Sequence, residues 1–207
     1  MPELFQVGTD PSGRPVLMTA HMRDWWAGVM RHLDFTPVIV QGAWMRQAGG
    51  GASDSGGFHD FGGCLDLRTW DRSTDQQLQM IRVLRLGGAA AWRRTPAQGF
   101  DEHIHLVLGS DPGIGADAEQ QWRNYLAGDA GLDGPQRDNE WRPNPIVTFP
   151  PDDYMEAPVD EQQENRIADK AADRVIARLA EARFTSPENS GAKWSLDTYL
   201  KKLYKKP

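Results

Sequence analysis

Two short segments of the chain carry residue types that hold a divalent metal: HDFGGCLD at 59–66 and DEHIH at 101–105. A catalytic zinc takes three protein ligands, histidine nitrogens or carboxylate oxygens, and keeps a fourth position open for water. His59, Asp66 and His105 make up such a set. An ion held this way makes water nucleophilic at neutral pH, and a carboxylate beside it can take the proton and return it to a leaving amine. Asp101 and Glu102 open the second segment and are the candidates for that base. His103 would hydrogen-bond substrate or a carboxylate. Cys64 is the chain's single cysteine, so neither an internal disulfide nor a thiolate cage can form. With no basic neighbour in sequence it reads as a small core residue.

These side chains converge only if the backbone lets them. His59 and Asp66 are seven residues apart, and on a flat strand an odd separation aims side chains at opposite faces. A turn or bulge at Gly62 and Gly63 would bring them together. In GGCLDLRT (62–69) Cys64, Asp66 and Arg68 alternate with Leu65 and Leu67, the pattern of a strand with one apolar face. Asp66 then faces away from the leucines. HIHLVLG (103–109) and AAAWRRT (89–95) read as two further strands, and His103 and His105 share a face. By strand parity Asp101 shares the face of His105, and Glu102 does so only if the strand begins at His103.

The remaining elements follow from the same periodicities. RPVLMTA (14–20) reads as a strand and 21–33 as a helix with Trp25, Val29 and Leu33 in register. PVIVQGAW (37–44) reads as a buried strand, and QAGGGASDSGG (47–57) as a loop. It lacks the Gly-Lys-Ser/Thr ending of a phosphate loop and is a candidate lid. Leu78, Ile81, Leu84 and Leu86 give a helix that Gly87 and Gly88 end. Residues 115–128 give a shorter one. The order αββαββ implies an α+β fold, a small mixed or antiparallel sheet flanked by helices. The expected domain spans 1–135, followed by a Pro/Asp-rich linker at 136–159. A helical C-terminal extension, 160–207, has Ile167, Ala171, Val175 and Leu179 four apart, suited to assembly.

Composition narrows the function classes. The chain has 207 residues, a net charge of −6 and 39% hydrophobic residues, which speaks for one ordinary domain with an appendage and against a nucleic-acid binder. The lysines of the KKLYKKP end read as a solvated tail. No run of about 18 apolar residues occurs. The opening MPELFQVGTDPSGRP has neither the basic segment nor the apolar core of a secretion signal, so synthesis in a cytoplasm is expected. Among the eight tryptophans, Trp44, Trp70 and Trp92 are expected in the core rather than in a ligand groove.

HDFGGCLD resembles the H-x-x-G-x-x-x-D signature of the zinc D-alanyl-D-alanine peptidases and the phage L-alanyl-D-glutamate endolysins, and EHIH resembles their E-x-x-H. VIVQGAW, the Gly-Ala-Ser loop, HIH and NYLAGDAGL are similar to a group of uncharacterised actinobacterial and actinobacteriophage relatives of these enzymes. The likeness covers roughly residues 14–135. It implies a zinc-lined groove, His59, Asp66 and His105 as ligands, Glu102 as base, and the stem peptide of bacterial peptidoglycan as substrate. A phage lysin or virion-associated wall hydrolase acting at the cell wall would fit. A non-catalytic phage structural or wall-binding protein that retains the fold is the alternative. Two positions depart from the pattern: Gly57 stands where these peptidases usually carry serine, and their oxyanion-stabilising arginine has no exact counterpart, for which Arg46 is the candidate.

Overall fold

The alternation in GGCLDLRT becomes one of the two inner strands of a four-stranded antiparallel sheet. The computed structural model describes residues 1–49, 57–132, 134 and 136–155, together with the backbone of 184–185 and 193–194. These fall into two units, Met1–Pro158 and Val159–Pro207. The first unit runs β1 (Leu4–Thr9), β2 (Pro15–Thr19), α1 (Ala20–Arg31), β3 (Ile39–Gln41), β4 (Cys64–Arg68), α2 (Thr74–Leu86), β5 (Ala90–Arg94), β6 (His103–Val107), α3 (Ala116–Ala127) and α4 (Asp152–Met155). The fold class is α+β, as expected. β1 and β2 form an antiparallel pair, and the main sheet has the order β3-β4-β6-β5.

Strand parity gives this sheet two different faces. Leu65 and Leu67 on β4, Ile104 and Leu106 on β6 and Ala91 on β5 share a core with Trp25 and Val29 of α1 and Met80, Ile81 and Leu84 of α2. Cys64, Ala90, Trp92 and Val107 face the other way and pack with Ala118, Trp122 and Tyr125 of α3. Asp66 pairs with His105 and His105 with Trp92, and two residues along, on the same face, Arg68, His103 and Arg94 align. The histidines and Asp66 therefore lie on the α3 side, away from the leucines.

The helices stop and start where their ends can be satisfied. Thr19 caps α1 by accepting from the Met22 amide at 3.1 Å. Ser73 and Gln76 form a reciprocal capping box on α2. Gly128, with φ +95°, closes α3 in the left-handed conformation.

Four features differ from the sequence expectation. The strand anticipated over 37–44 is confined to Ile39–Gln41, because the chain turns sharply at Trp44, whose φ is +56°. Trp70 is 61% exposed, and the Arg68 guanidinium lies 5.7 Å from its ring centroid, whereas Trp44 and Trp92 are buried as expected. β1, a partly exposed edge strand, was not anticipated. The Pro/Asp-rich stretch anticipated as a linker packs on the first unit as far as it is described. Its Asp138 meets the fully buried Arg85, and Tyr154 enters the main core and donates to the Val83 carbonyl at 3.0 Å.

The helices expected at 160–183 and from Ser195, and loop residues 50–56, lie outside the described residues. In the second unit the described backbone is a short antiparallel pair, β7 (Phe184–Thr185) and β8 (Lys193–Trp194).

The contact between α1 and α4 depends on a missing side chain. A Cβ on Gly28 would overlap the backbone carbonyl of Tyr154. Gly-to-Ala in a helix interior ordinarily stabilises by roughly 0.5–1 kcal/mol. Here Gly28→Ala should instead destabilise by about 1–3 kcal/mol, read from urea unfolding. A neutral or stabilised variant would show that 152–155 does not seat against α1.

Candidate metal centre

His59 is placed by backbone that no single strand provides. The Met45 amide donates to the His59 carbonyl at 2.9 Å and the Trp44 amide to the Phe61 carbonyl at 3.0 Å, so residues 59–61 run beside the Trp44 turn. Gly62 then donates to the Gly113 carbonyl at 2.8 Å, and Gly63 takes φ +90° before β4 begins. A Cβ at Gly62 would lie 2.8 Å from the Gly113 oxygen, and one at Gly63 would lie 2.9 Å from Ile114. Space requires glycine at both positions and conformation requires it at Gly63, and the bend there turns His59 toward Asp66 despite the odd spacing.

His59, Asp66 and His105 converge, all three buried, with one donor atom from each within 4.8 Å of the others. His59 Nε2 lies 3.3 Å from Asp66 Oδ2, and His105 Nδ1 lies 2.7 Å from Asp66 Oδ1. Tetrahedral zinc with bonds near 2.0–2.1 Å separates its ligand atoms by roughly 3.3–3.4 Å. The group could hold a metal ion.

The outer hydrogen bonds make this convergence electrostatically demanding. His59 Nδ1 lies 3.0 Å from the Gly42 carbonyl, which can only accept, so Nδ1 carries the proton and Nε2 presents a lone pair. Gln121 Nε2 donates to the Gly131 carbonyl at 3.1 Å, which turns Gln121 Oε1 toward His105 Nε2 at 2.8 Å. His105 Nε2 is then the protonated nitrogen, and its Nδ1 presents a lone pair to a carboxylate oxygen. His103 follows the same rule: Nδ1 donates to the Asp101 carbonyl at 2.7 Å, and Nε2 faces Asp66 Oδ1 at 3.6 Å. With neutral imidazoles, three nitrogen lone pairs surround one carboxylate, and only a cation or added protons between them relieves the repulsion.

The ionisation tendencies show that protons can supply this relief at His59. Burial alone would raise the Asp66 carboxyl, but positive charge on His59, with the His105 and His59 rings at hydrogen-bonding distance when protonated toward it, holds it well below the usual carboxylate range. Burial pushes His59 down, yet Asp66 and the Gly42 carbonyl outweigh it and raise His59 above its ordinary value. Burial, with the His59 and Arg94 charges, keeps His105 below its own despite Asp66. Cys64 is fully buried in the sheet and burial pushes its thiol up, as expected of a packing residue.

The other anticipated site residues are placed less centrally. β6 begins at His103, so strand parity does not turn Glu102 away, and both Glu102 and Asp101 are exposed just ahead of it. Arg46 is exposed and pairs through Nε with Asp60 Oδ2 at 2.7 Å, next to His59 in sequence. Sequence reasoning missed Gln121 and Arg94. The signal for Gln121 was a polar residue on the buried stripe of α3 formed by Ala118, Trp122 and Tyr125. Arg94 sits in the row of His103 and donates to the carbonyls of Ala130 and Gly131 at 2.9 and 3.4 Å.

Replacing Gln121 by leucine should free the His105 ring and weaken metal binding by about 10–100-fold, measured by competition with a chelating dye. Unchanged affinity would mean that Gln121 packs without orienting His105. Comparisons with family models, curated proteins and solved structures find no match to this chain. Its likeness to the wall peptidases rests on the motif residues alone.

Proposed function

We propose that the chain is a zinc-dependent peptidase that cleaves an amide bond in the peptide stem of bacterial peptidoglycan. The observation that carries this reading is the set of lone pairs from His59 and His105 aimed at the Asp66 carboxylate by Gly42 and Gln121. Two imidazoles and one carboxylate are a donor set that suits zinc. When bound, the ion would supply the Lewis acidity that makes water nucleophilic at neutral pH. Glu102, or Asp101, would take that proton and pass it to the leaving amine. His103 would hydrogen-bond the substrate, and Arg46 would stabilise developing negative charge. The protein would act at the bacterial wall, as a phage lysin or as part of a virion. No helix among the described residues is long and apolar enough to cross a membrane.

The test is release of new amino termini from purified peptidoglycan. The zinc-loaded chain should release them, and an Asp101→Ala, Glu102→Ala double variant should lose most of that release. No release by the zinc-loaded chain would end the enzyme reading, and equal release by the two proteins would end the assignment of the base.

A second reading, a non-catalytic wall-binding or particle protein, is favoured by one observation. His103 Nε2 faces the same Asp66 oxygen as His105, and as a fourth ligand it would close the site to water. His103→Ala separates the two: a closed site loses metal affinity with it, and an open site keeps its metal.

A further inference from the structure

We propose that the cleft along the edge strand β5 is an anion subsite, in which Arg137 and Arg94 hold the carboxylate of a peptide ligand beside the metal centre. Calling that ligand the substrate rests on the peptidase reading above. The cleft has a volume of about 140 Å³ and is lined by Trp92, Arg93, Arg94 and Gln98 on one side and by Ala130 and residues 137–140 on the other.

The charges in it do not cancel. Arg93 is neutralised by Glu140 at 2.7 Å, and Asp138 is taken up by the buried Arg85 at 2.8 Å. Both cleft carboxylates are therefore engaged. Arg94 is only 3% exposed and forms no ion pair among the described residues. It donates hydrogen bonds to the neutral carbonyls of Ala130 and Gly131. Burial draws its pKa down to about 10, against the more distant charges of Asp66 and Asp138. Arg137 is exposed and likewise unpaired among the described residues, although its backbone bridges that of Asp129. A buried cation without a counter-ion is costly, and a guanidinium presents the planar fork that a carboxylate matches.

The cleft is joined to the metal centre through two groups. Trp92 lines it, and its ring is stacked against that of His105 with centroids 6.3 Å apart. The Gly131 carbonyl accepts from both Arg94 and Gln121, the residue that orients His105. A peptide reaching the metal would thus place a carboxylate one or two residues along against the arginines. In a polymer of peptide stems, that means a free terminal or side-chain carboxylate near the cleaved bond.

The experiment follows the arginine Nε–H signals by NMR in the full chain, loaded with zinc and after its removal by chelation. The probes are N-acetyl-D-alanine, its carboxamide and inorganic phosphate. N-acetyl-D-alanine should shift Arg94 and Arg137 in both forms of the protein, and the carboxamide should not. Arg137→Gln, an exposed change, should weaken that binding by about tenfold or more, and Arg94→Lys should weaken it while keeping the charge. Equal binding of acid and amide, an unaffected Arg137→Gln variant, or binding of phosphate alone would each overturn the proposal. Because these readouts need no bond cleavage, failure to digest peptidoglycan would leave them standing, and their failure would leave the peptidase reading standing.

Discussion

Asp66→Ala is expected to lower zinc affinity by well over about a hundredfold, beyond the 10–100-fold range for losing an outer hydrogen bond such as that of Gln121. The reason is geometric and electrostatic together. Among the described residues Asp66 alone meets the imidazoles of His105 at 2.7 Å, His59 at 3.3 Å and His103 at 3.6 Å. Its carboxylate would be the negative charge that offsets a bound cation in a buried place. Without it the nitrogens remain but the charge balance does not. Competition with a chelating dye at neutral pH, on Asp66→Ala and Gln121→Leu side by side, gives the ranking. If Asp66→Ala keeps zinc as tightly as the parent, the site has been misassigned.

The second large effect concerns stability. Asp138→Leu is expected to cost about 3–5 kcal/mol, because it leaves Arg85 charged and buried without its partner. Arg85 is 0% exposed and Asp138 Oδ2 lies 2.8 Å from its Nη2. Arg85 also donates to the carbonyls of Ala91 and Trp141 at 3.0 and 2.7 Å. It therefore ties α2, the outer edge of β5 and the 136–142 stretch together. The double variant Arg85→Met, Asp138→Leu should recover much of the loss, since an apolar pair strands no charge. Urea unfolding of the three proteins decides it. A loss below about 1 kcal/mol for Asp138→Leu, the range of exposed pairs, would show that the stretch is not fixed there.

That stretch also shows where sequence reasoning ends. It belongs to the longer 136–159 segment, whose prolines, aspartates and asparagines are the composition of a connection, and among the described residues of that segment α4 is the one regular element. What composition does not carry is the partner: Arg85 looks like one more charge on a helix until the fold places it inside. Periodicity, by contrast, carried the site-bearing strands. Leu65 and Leu67 fixed which way Asp66 must face, and the two-residue spacing of His103 and His105 put them on one side. The glycine pair explained how His59 could join them. Gln121 and Arg94 escaped because each meets the site only through long-range packing, by α3 crossing the sheet and by the strand order β4-β6-β5.

The two-faced sheet has a consequence for folding. A slip of one residue in the pairing of β4 with β6 would send Leu65 and Leu67 to the α3 side and bury Asp66 among the helices. The apolar core and the metal ligands would be lost in the same step. Bound metal per chain would then count correctly registered molecules, and adding metal during refolding should raise the yield by trapping that register alone.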